Sequence, residues 1–184
     1  MRVSALLAGL LLAGTASAQP ATRAEVAVIM HQLGMHGLGK SSAEVLFSIS
    51  PTLKALDQGG RDCASTQIGK LLDAHFQQQI AGNLGEDGAV LVGEWKQFMA
   101  TPAGADMGRT FQASAAAQQG MASEGPEVSE ANKVEIARFM GTPAFQRFID
   151  GLAADGGMPE NIGETMSAAL KRECRIDFDA EQIS

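Results

Sequence analysis

The chain has 184 residues, a formal net charge of −7, one tryptophan, eight phenylalanines and no tyrosine. An acidic chain repels the phosphates of nucleic acids and of anionic membrane surfaces, and no local cluster of lysine and arginine offsets that repulsion. Nucleic acid and membrane surfaces are therefore excluded as expected partners.

The first 18 residues have the pattern of a secretory signal peptide. Arg2 supplies the positive start, residues 5–14 form an apolar run, and Ala16-Ser17-Ala18 is a small-x-small cleavage sequence. The apolar run is too short to span a bilayer about 30 Å thick, and no later stretch is long enough either. Cleavage before Gln19 would leave one domain, 19–184, whose charge is about −8 because Arg2 is removed. We therefore expect a periplasmic or secreted protein.

Helical patterns begin directly after the cleavage site. Thr22 and Glu25 have capping-box spacing, and an apolar face follows at three- and four-residue intervals. The glycine-rich stretch 34–39 predicts the end of this helix. Ser41 and Glu44 repeat the capping-box spacing and predict the start of the next helix. The apolar face of the first helix consists of Val26, Ile29, Met30 and Leu33.

The end of the first helix repeats a Met-His dipeptide, as Met30-His31 and as Met35-His36. Thioether and imidazole groups are ligands for copper, and His31 and Met35 are four residues apart, which places them on one helix face. A copper or other soft-metal site would also need His36 to turn inward. In the structural alternative, Met30 fills a gap in the core and both histidines face solvent. Nothing resembles a zinc-binding pattern, so no metal ligand is assigned.

Ser50-Pro51 predicts the start of a short helix that ends at Gly59-Gly60. The clearest amphipathic helix follows, over residues 63–82. Its apolar side includes His75, for which we expect a partly buried, hydrogen-bonded position. The sequence gives no support for a catalytic pair of His75 with a serine or cysteine.

Two cysteines remain after removal of the signal peptide, Cys63 and Cys174. An even number of cysteines in an oxidising compartment favours a disulfide. The bond would close a loop of about a hundred residues, worth on the order of 4 kcal/mol in the chain-entropy model. A redox role would favour a CxxC motif, which is absent. The predicted disulfide is therefore structural.

The second half of the chain is also helical in pattern, and no period-2 alternation of any length occurs. The sequence thus predicts an all-α fold, an irregular bundle of short helical hairpins stapled by one disulfide. Residues 120–129 lack an apolar rhythm and predict a surface loop, and the tail 175–184 is expected to be loosely held apart from Phe178. One predicted helix ends at Met99, another begins at Pro102 and fades within 113–120, and three more cover about 129–140, 143–154 and 159–174.

A Phe-x-x-Thr-Pro pattern occurs twice in this half, and a variant with serine occurs earlier. Proline disfavours helix in the residue before it and is tolerated at the first position of a new helix, where Ser or Thr is a favoured N-cap. Each copy therefore predicts a corner between two helices. No base is placed by the sequence near either threonine, which argues against a nucleophilic role. The three copies are Phe98-Thr101-Pro102, Phe139-Thr142-Pro143 and Phe47-Ser50-Pro51.

The segment EWKQFMATPAG, residues 94–104, resembles the signature of a family of small exported bacterial proteins of unknown function. That family shows an aromatic-x-[Ser/Thr]-Pro-x-Gly helix corner in an all-helical domain, and the resemblance covers about residues 86–112. The chain departs from it at Phe98-Met99, where an aromatic pair or tyrosine is more usual, and at Phe145, which replaces glycine in the second copy. The resemblance implies an exported helical protein and no catalytic residues.

No GxSxG, P-loop or GxGxxG motif is present, so neither an enzyme nor a cofactor is expected. The first functional hypothesis is a structural or interaction module that binds another envelope protein through a helical groove. The alternative is a carrier for a small ligand or a soft metal such as copper. The sequence makes no prediction of an oligomeric state.

Overall fold

The computed structural model describes residues 18–118, 125–153 and 161–180. In these ranges the chain forms nine α-helices and one π-helical turn and no β-strand, which confirms the all-α prediction. The predicted signal peptide lies outside the described residues except for Ala18, and so does part of the predicted loop at 120–129. The helices are α1 (Arg23–Gln32), α2 (Leu38–Ile49), α3 (Pro51–Lys54), α4 (Gln58–Leu84), α5 (Gly88–Met99), α6 (Pro102–Gln118), α7 (Glu130–Met140), α8 (Pro143–Ala153) and α9 (Ile162–Ala169), followed by the π turn Leu170–Cys174.

The long helix α4 is shared by two hydrophobic cores. At 1.5 Å per residue its 27 residues span about 40 Å. Its C-terminal half contributes Ile80 and Leu84 to a first core, formed with α1, α5, α6, α7 and α8. Its N-terminal half contributes Ile68 and Leu72 to a second core, formed with α2, α3, α9 and the residues that follow α9. Phe76 contacts both cores.

The first core is organised around Trp95, which is fully buried. Its indole Nε1 donates a hydrogen bond to the carbonyl oxygen of Ala144 at 2.9 Å. Its ring lies 4.8 Å from the Phe139 ring and 4.9 Å from the Phe148 ring, between centroids. A buried indole N–H needs a partner, so this hydrogen bond and the ring contacts join α5 to α7 and α8.

The two Thr-Pro corners of the chain lie against each other in this core. Thr101 Oγ1 donates to the carbonyl of Phe98 at 2.7 Å and accepts from the Gly104 amide at 3.1 Å. Thr142 Oγ1 donates to the carbonyl of Phe139 at 2.7 Å and accepts from the Phe145 amide at 3.3 Å. The Phe98 and Phe139 rings stack with centroids 3.9 Å apart. The hydroxyls therefore cap α6 and α8, while the phenylalanines bring the corners together.

The glycine of the first corner is required by close packing. A Cβ atom on Gly104 would overlap the carbonyl oxygen of Phe98. The second corner has Phe145 at the matching position, and that side chain is buried in the first core. The two corners thus share a cap and differ in how closely their helices approach. At the earlier Ser-Pro corner, Ser50 Oγ accepts from the Leu53 amide at 3.3 Å.

The predicted disulfide lies beside the second core, against which Cys174 packs. Cys63 near the start of α4 bonds Cys174 at the end of the π turn, with Cα atoms 5.8 Å apart. Arg175 then takes the left-handed conformation, with φ 58°, and the chain returns to the core. None of the helices in the described ranges is both long enough and apolar enough to cross a bilayer.

The tail beyond the disulfide is packed, which corrects one sequence expectation. Ile176 is buried beside Phe178 in the second core, although only Phe178 was expected to be held. Ser167 of α9 also donates to the Phe178 carbonyl at 2.6 Å. The tail therefore completes the second core as far as Phe178.

Two helix starts also differ from the sequence prediction. Helix α2 begins at Leu38, so the Ser41–Glu44 capping box is wrong; Asp73 of α4 caps α2 instead, accepting from the Gly39 amide at 2.8 Å. Helix α4 begins at Gln58, and the glycines at 59–60 lie in its first turn, because Asp57 accepts from the Gly60 amide at 2.7 Å. The prediction that those glycines end the short helix is wrong as well, because α3 already ends at Lys54.

Candidate functional site

The first helix ends in a Schellman motif centred on Gly34, whose φ is 73°. The Met35 amide donates to the Met30 carbonyl at 2.8 Å, and the Gly34 amide donates to the His31 carbonyl at 3.0 Å. These are the 6→1 and 5→2 hydrogen bonds of the motif, which commonly brings an apolar residue after the glycine onto the last turn of the helix.

This geometry explains the repeated Met-His dipeptide. Met30 is buried in the first core, and Met35 is half-buried and packs against that core. His31 and His36 lie outside, exposed, with ring centroids 5.1 Å apart. The 6→1 hydrogen bond joins Met35 to Met30, five residues earlier. The two methionines therefore both lie on the inner side, and the histidine that follows each one lies on the outer side. Met30 therefore belongs to the core and is not available to a ligand.

The end of α1 is held against α6. A Cβ atom on Gly34 would lie 2.6 Å from Cγ of Gln112, so only glycine fits there. Gln112 Nε2 donates to the carbonyl of Gln32 at 3.0 Å. These contacts place the Met-His segment beside the second half of α6.

An open groove of about 1090 Å³ lies between the α1–α2 connection and α6. Its rim carries both histidines, Gln112 of α6 and Glu44 of α2. The candidate residues His31, Met35 and His36 all line this groove, together with a wall from α6 that the sequence did not predict. The apolar side chains that line it are Leu33, Met35, Leu38, Phe111, Ala115 and Ala116.

The α6 wall exists because this helix continues to Gln118. The sequence prediction has it fade within 113–120, because few large apolar residues follow Phe111. Alanine has the highest helix propensity, and the run of alanines at 115–117 was the signal that should have extended the helix. The groove thus depends on a helix whose wall is built from small side chains.

The two exposed imidazoles are spaced so that they could share a metal ion. Two histidines that ligate one tetrahedral ion at about 2.0 Å have ring centroids about 5 Å apart. Within the described ranges, however, no three His, Cys, Asp or Glu side chains are grouped to hold a metal. A metal at this place would have the two imidazoles and the Met35 thioether as its protein ligands.

The other candidate residues lie outside the groove. His75 lies on α4, partly buried beside Phe76, with ring centroids 6.2 Å apart. Burial lowers the pKa of His75 below its ordinary value, which favours the neutral imidazole. The hydroxyls of Thr101 and Thr142 both donate and accept hydrogen bonds within their corners. These threonine side chains are therefore engaged in capping.

No protein-family model, curated protein or solved structure matches this chain.

Proposed function

We propose that the chain is a non-catalytic interaction module of the bacterial envelope, and that it holds a helical segment of another envelope protein in the groove between α1–α2 and α6. The proposal rests on the groove, whose base is lined by apolar side chains and whose rim is polar. Such a floor suits the apolar face of an amphipathic helix, which binds through anchors spaced three, four and seven residues apart.

The dimensions and composition of the wall support a helical partner. The α6 lining runs from Thr110 to Ala116, about 9 Å or nearly two helical turns. Small side chains at Ala115 and Ala116 permit close approach of another helix, and the flexible Met35 side chain adapts its shape to the partner. The net charge of −7 favours encounter with a cationic segment.

The proposed address is the periplasm. The signal-peptide pattern of residues 1–18 supports it, and so does the Cys63–Cys174 bond, because disulfides persist in oxidising compartments. The resemblance of residues 86–112 to exported bacterial proteins is a third support.

A charge placed in the groove tests the proposal. Ala115 lines the groove, whereas Ala117 lies on the same helix, is exposed and does not line it. We expect wild type and Ala117→Arg to retain the same protein from a periplasmic extract in affinity capture. Ala115→Arg should retain it at least tenfold less, with unchanged circular dichroism. Quantitative mass spectrometry measures retention, and the proposal fails if no protein distinguishes the two variants.

A soft-metal carrier is the second candidate, favoured by the 5.1 Å spacing of the His31 and His36 rings. In a competition titration with Cu(I), we expect one ion per chain and a tenfold or greater loss of affinity in His31→Gln and in His36→Gln. Met35→Leu should weaken binding, whereas Met30→Leu should not, because Met30 is buried. Equal affinities for wild type and the double histidine variant would exclude this function.

A further inference from the structure

A second groove, of about 630 Å³, lies between α2 and α4. The two helices touch at Gly39 and Gly69, where a Cβ atom on Gly39 would overlap the Gly69 carbonyl oxygen. The backbones of α2 and α4 are in close contact at this crossing. The longer side chains of both helices beside the crossing line an open, polar space. This groove borders the first one at Glu44, which lines both.

The α4 wall of this groove holds two buried hydrogen-bond donors that have no partner in the described residues. They are Nε of Arg61 and Oγ of Ser65, and Ser65 as a whole is 7% exposed. The residues are four apart, so both lie on one face of α4. Buried polar groups are almost always paired, so each of these donors is a candidate to donate to an oxygen atom of a bound ligand.

The Arg61 side chain is a donor of the kind that binds a carboxylate. Its guanidinium carbon lies 5.1 Å from the centre of the Phe47 ring, in a cation–π contact that restrains the guanidinium. The Nε edge of a guanidinium binds a carboxylate through two parallel hydrogen bonds. The Ser65 hydroxyl, one helical turn away, supplies a further donor.

The charges around the groove restrict the ligand further. Lys40 and Lys70 add positive charge to that of Arg61. Glu44, Asp62 and Asp73 supply an equal number of negative charges. A phosphate would meet these three carboxylates, whereas a ligand that carries both an anionic and a cationic group would be matched at both ends.

We propose that this groove binds a free α-amino acid as its zwitterion. The ligand carboxylate accepts from Arg61 Nε and Ser65 Oγ, and its ammonium group faces Glu44 and Asp62. Asp62 and Asp73 each have one oxygen already engaged, because Asp62 Oδ1 accepts from Gln58 Nε2 and Asp73 Oδ1 accepts from the Gly39 amide, both at 2.8 Å. Each therefore offers its second oxygen to the ligand.

The test is isothermal titration calorimetry on the disulfide-bonded mature chain with a panel of free α-amino acids. We expect saturable binding of at least one of them. The N-acetyl derivative, the carboxamide of the same amino acid and inorganic phosphate should each bind at least tenfold more weakly. Equal binding of phosphate or of the N-acetyl derivative would overturn the zwitterion assignment, and no saturable binding of any amino acid would overturn the site.

Two conservative variants locate the site. Ser65→Ala and Arg61→Lys should each weaken binding at least tenfold, because the first removes a donor and the second removes the planar fork. The control is Ser48→Ala, whose exposed hydroxyl donates to the Val45 carbonyl at 2.6 Å, away from the groove. The thermal midpoint of unliganded Ser65→Ala should equal or exceed that of wild type, since an unpaired buried hydroxyl is lost. Affinities unchanged in both α4 variants would contradict the proposal.

Discussion

Gly104 and Gly93 differ in whether an added methyl group meets backbone. A Cβ on Gly104 would overlap the Phe98 carbonyl, whereas a Cβ on Gly93, in the interior of α5, meets nothing within 4 Å. We predict that Gly104→Ala lowers the free energy of unfolding by about 1–3 kcal/mol, because the first corner must open. Gly93→Ala should raise it by about 0.5–1 kcal/mol, because alanine loses less backbone entropy in a helix. Urea unfolding measures both, and changes of the same sign would contradict this account of the corner.

His75 gives the folded state a pH dependence of known sign. Burial lowers its pKa in the folded chain from the ordinary value of 6.5, so the folded state binds the proton less readily than the unfolded state. This contribution to stability is full above about pH 6.5 and falls as pH drops below that value. We predict that His75→Gln loses less stability than wild type between pH 7.5 and pH 5, measured by urea midpoints. If the urea midpoints of wild type and His75→Gln fell equally between these pH values, His75 would not contribute to the pH dependence of stability.

At the scale of the helices, features formed by residues close together in the sequence could be predicted. Features that depend on contacts between distant segments could not. The Thr22–Glu25 capping box forms as expected at the start of α1, because both partners lie within one turn. The start of α2 could not be predicted, since its cap, Asp73, comes from another helix. The same limit applies to the groove. The spacing of His31 and Met35 predicted one shared helix face, which is wrong because α1 ends at Gln32, before Met35. The α6 wall of the groove depends on how the end of α1 docks at Gln112.

The cap that α4 supplies to α2 can be removed selectively. Asp73→Ala should destabilise the fold by about 1 kcal/mol, as expected for loss of an N-cap, and should speed amide hydrogen exchange in the first turn of α2. Asp73→Asn keeps an oxygen acceptor and should recover most of the loss.

Asp57→Ala serves as the matched control because Asp57 caps α4 itself, at the Gly60 amide. Its effect on hydrogen exchange should appear in the first turn of α4. If Asp73→Ala left exchange in α2 unchanged, the cross-helix cap would not contribute to stability.

For the whole molecule, the disulfide is the main covalent restraint. It joins residues 111 positions apart, so its removal should cost about 5 kcal/mol in the chain-entropy model. We predict that the Cys63→Ser/Cys174→Ser double variant has a lower thermal midpoint. Hydrogen exchange should rise most in α2, α9 and the tail, which form the second core with the start of α4. A reductant should lower the midpoint of wild type but not of the double variant, and equal midpoints for the two proteins would contradict the prediction.

Because α4 runs through both cores, the two halves of the molecule share one element of secondary structure. Neither core retains its packing if α4 unwinds, and Phe76 in the middle of the helix contacts both. Melting of one end should therefore propagate to the other, and we expect the described helices to unfold as one cooperative unit despite their two centres of packing. The single tryptophan lies in the first core and the disulfide in the second. Trp95 lies on α5 and packs in the first core. A change in its fluorescence should therefore also report unfolding at the N-terminal end of α4, where the disulfide lies.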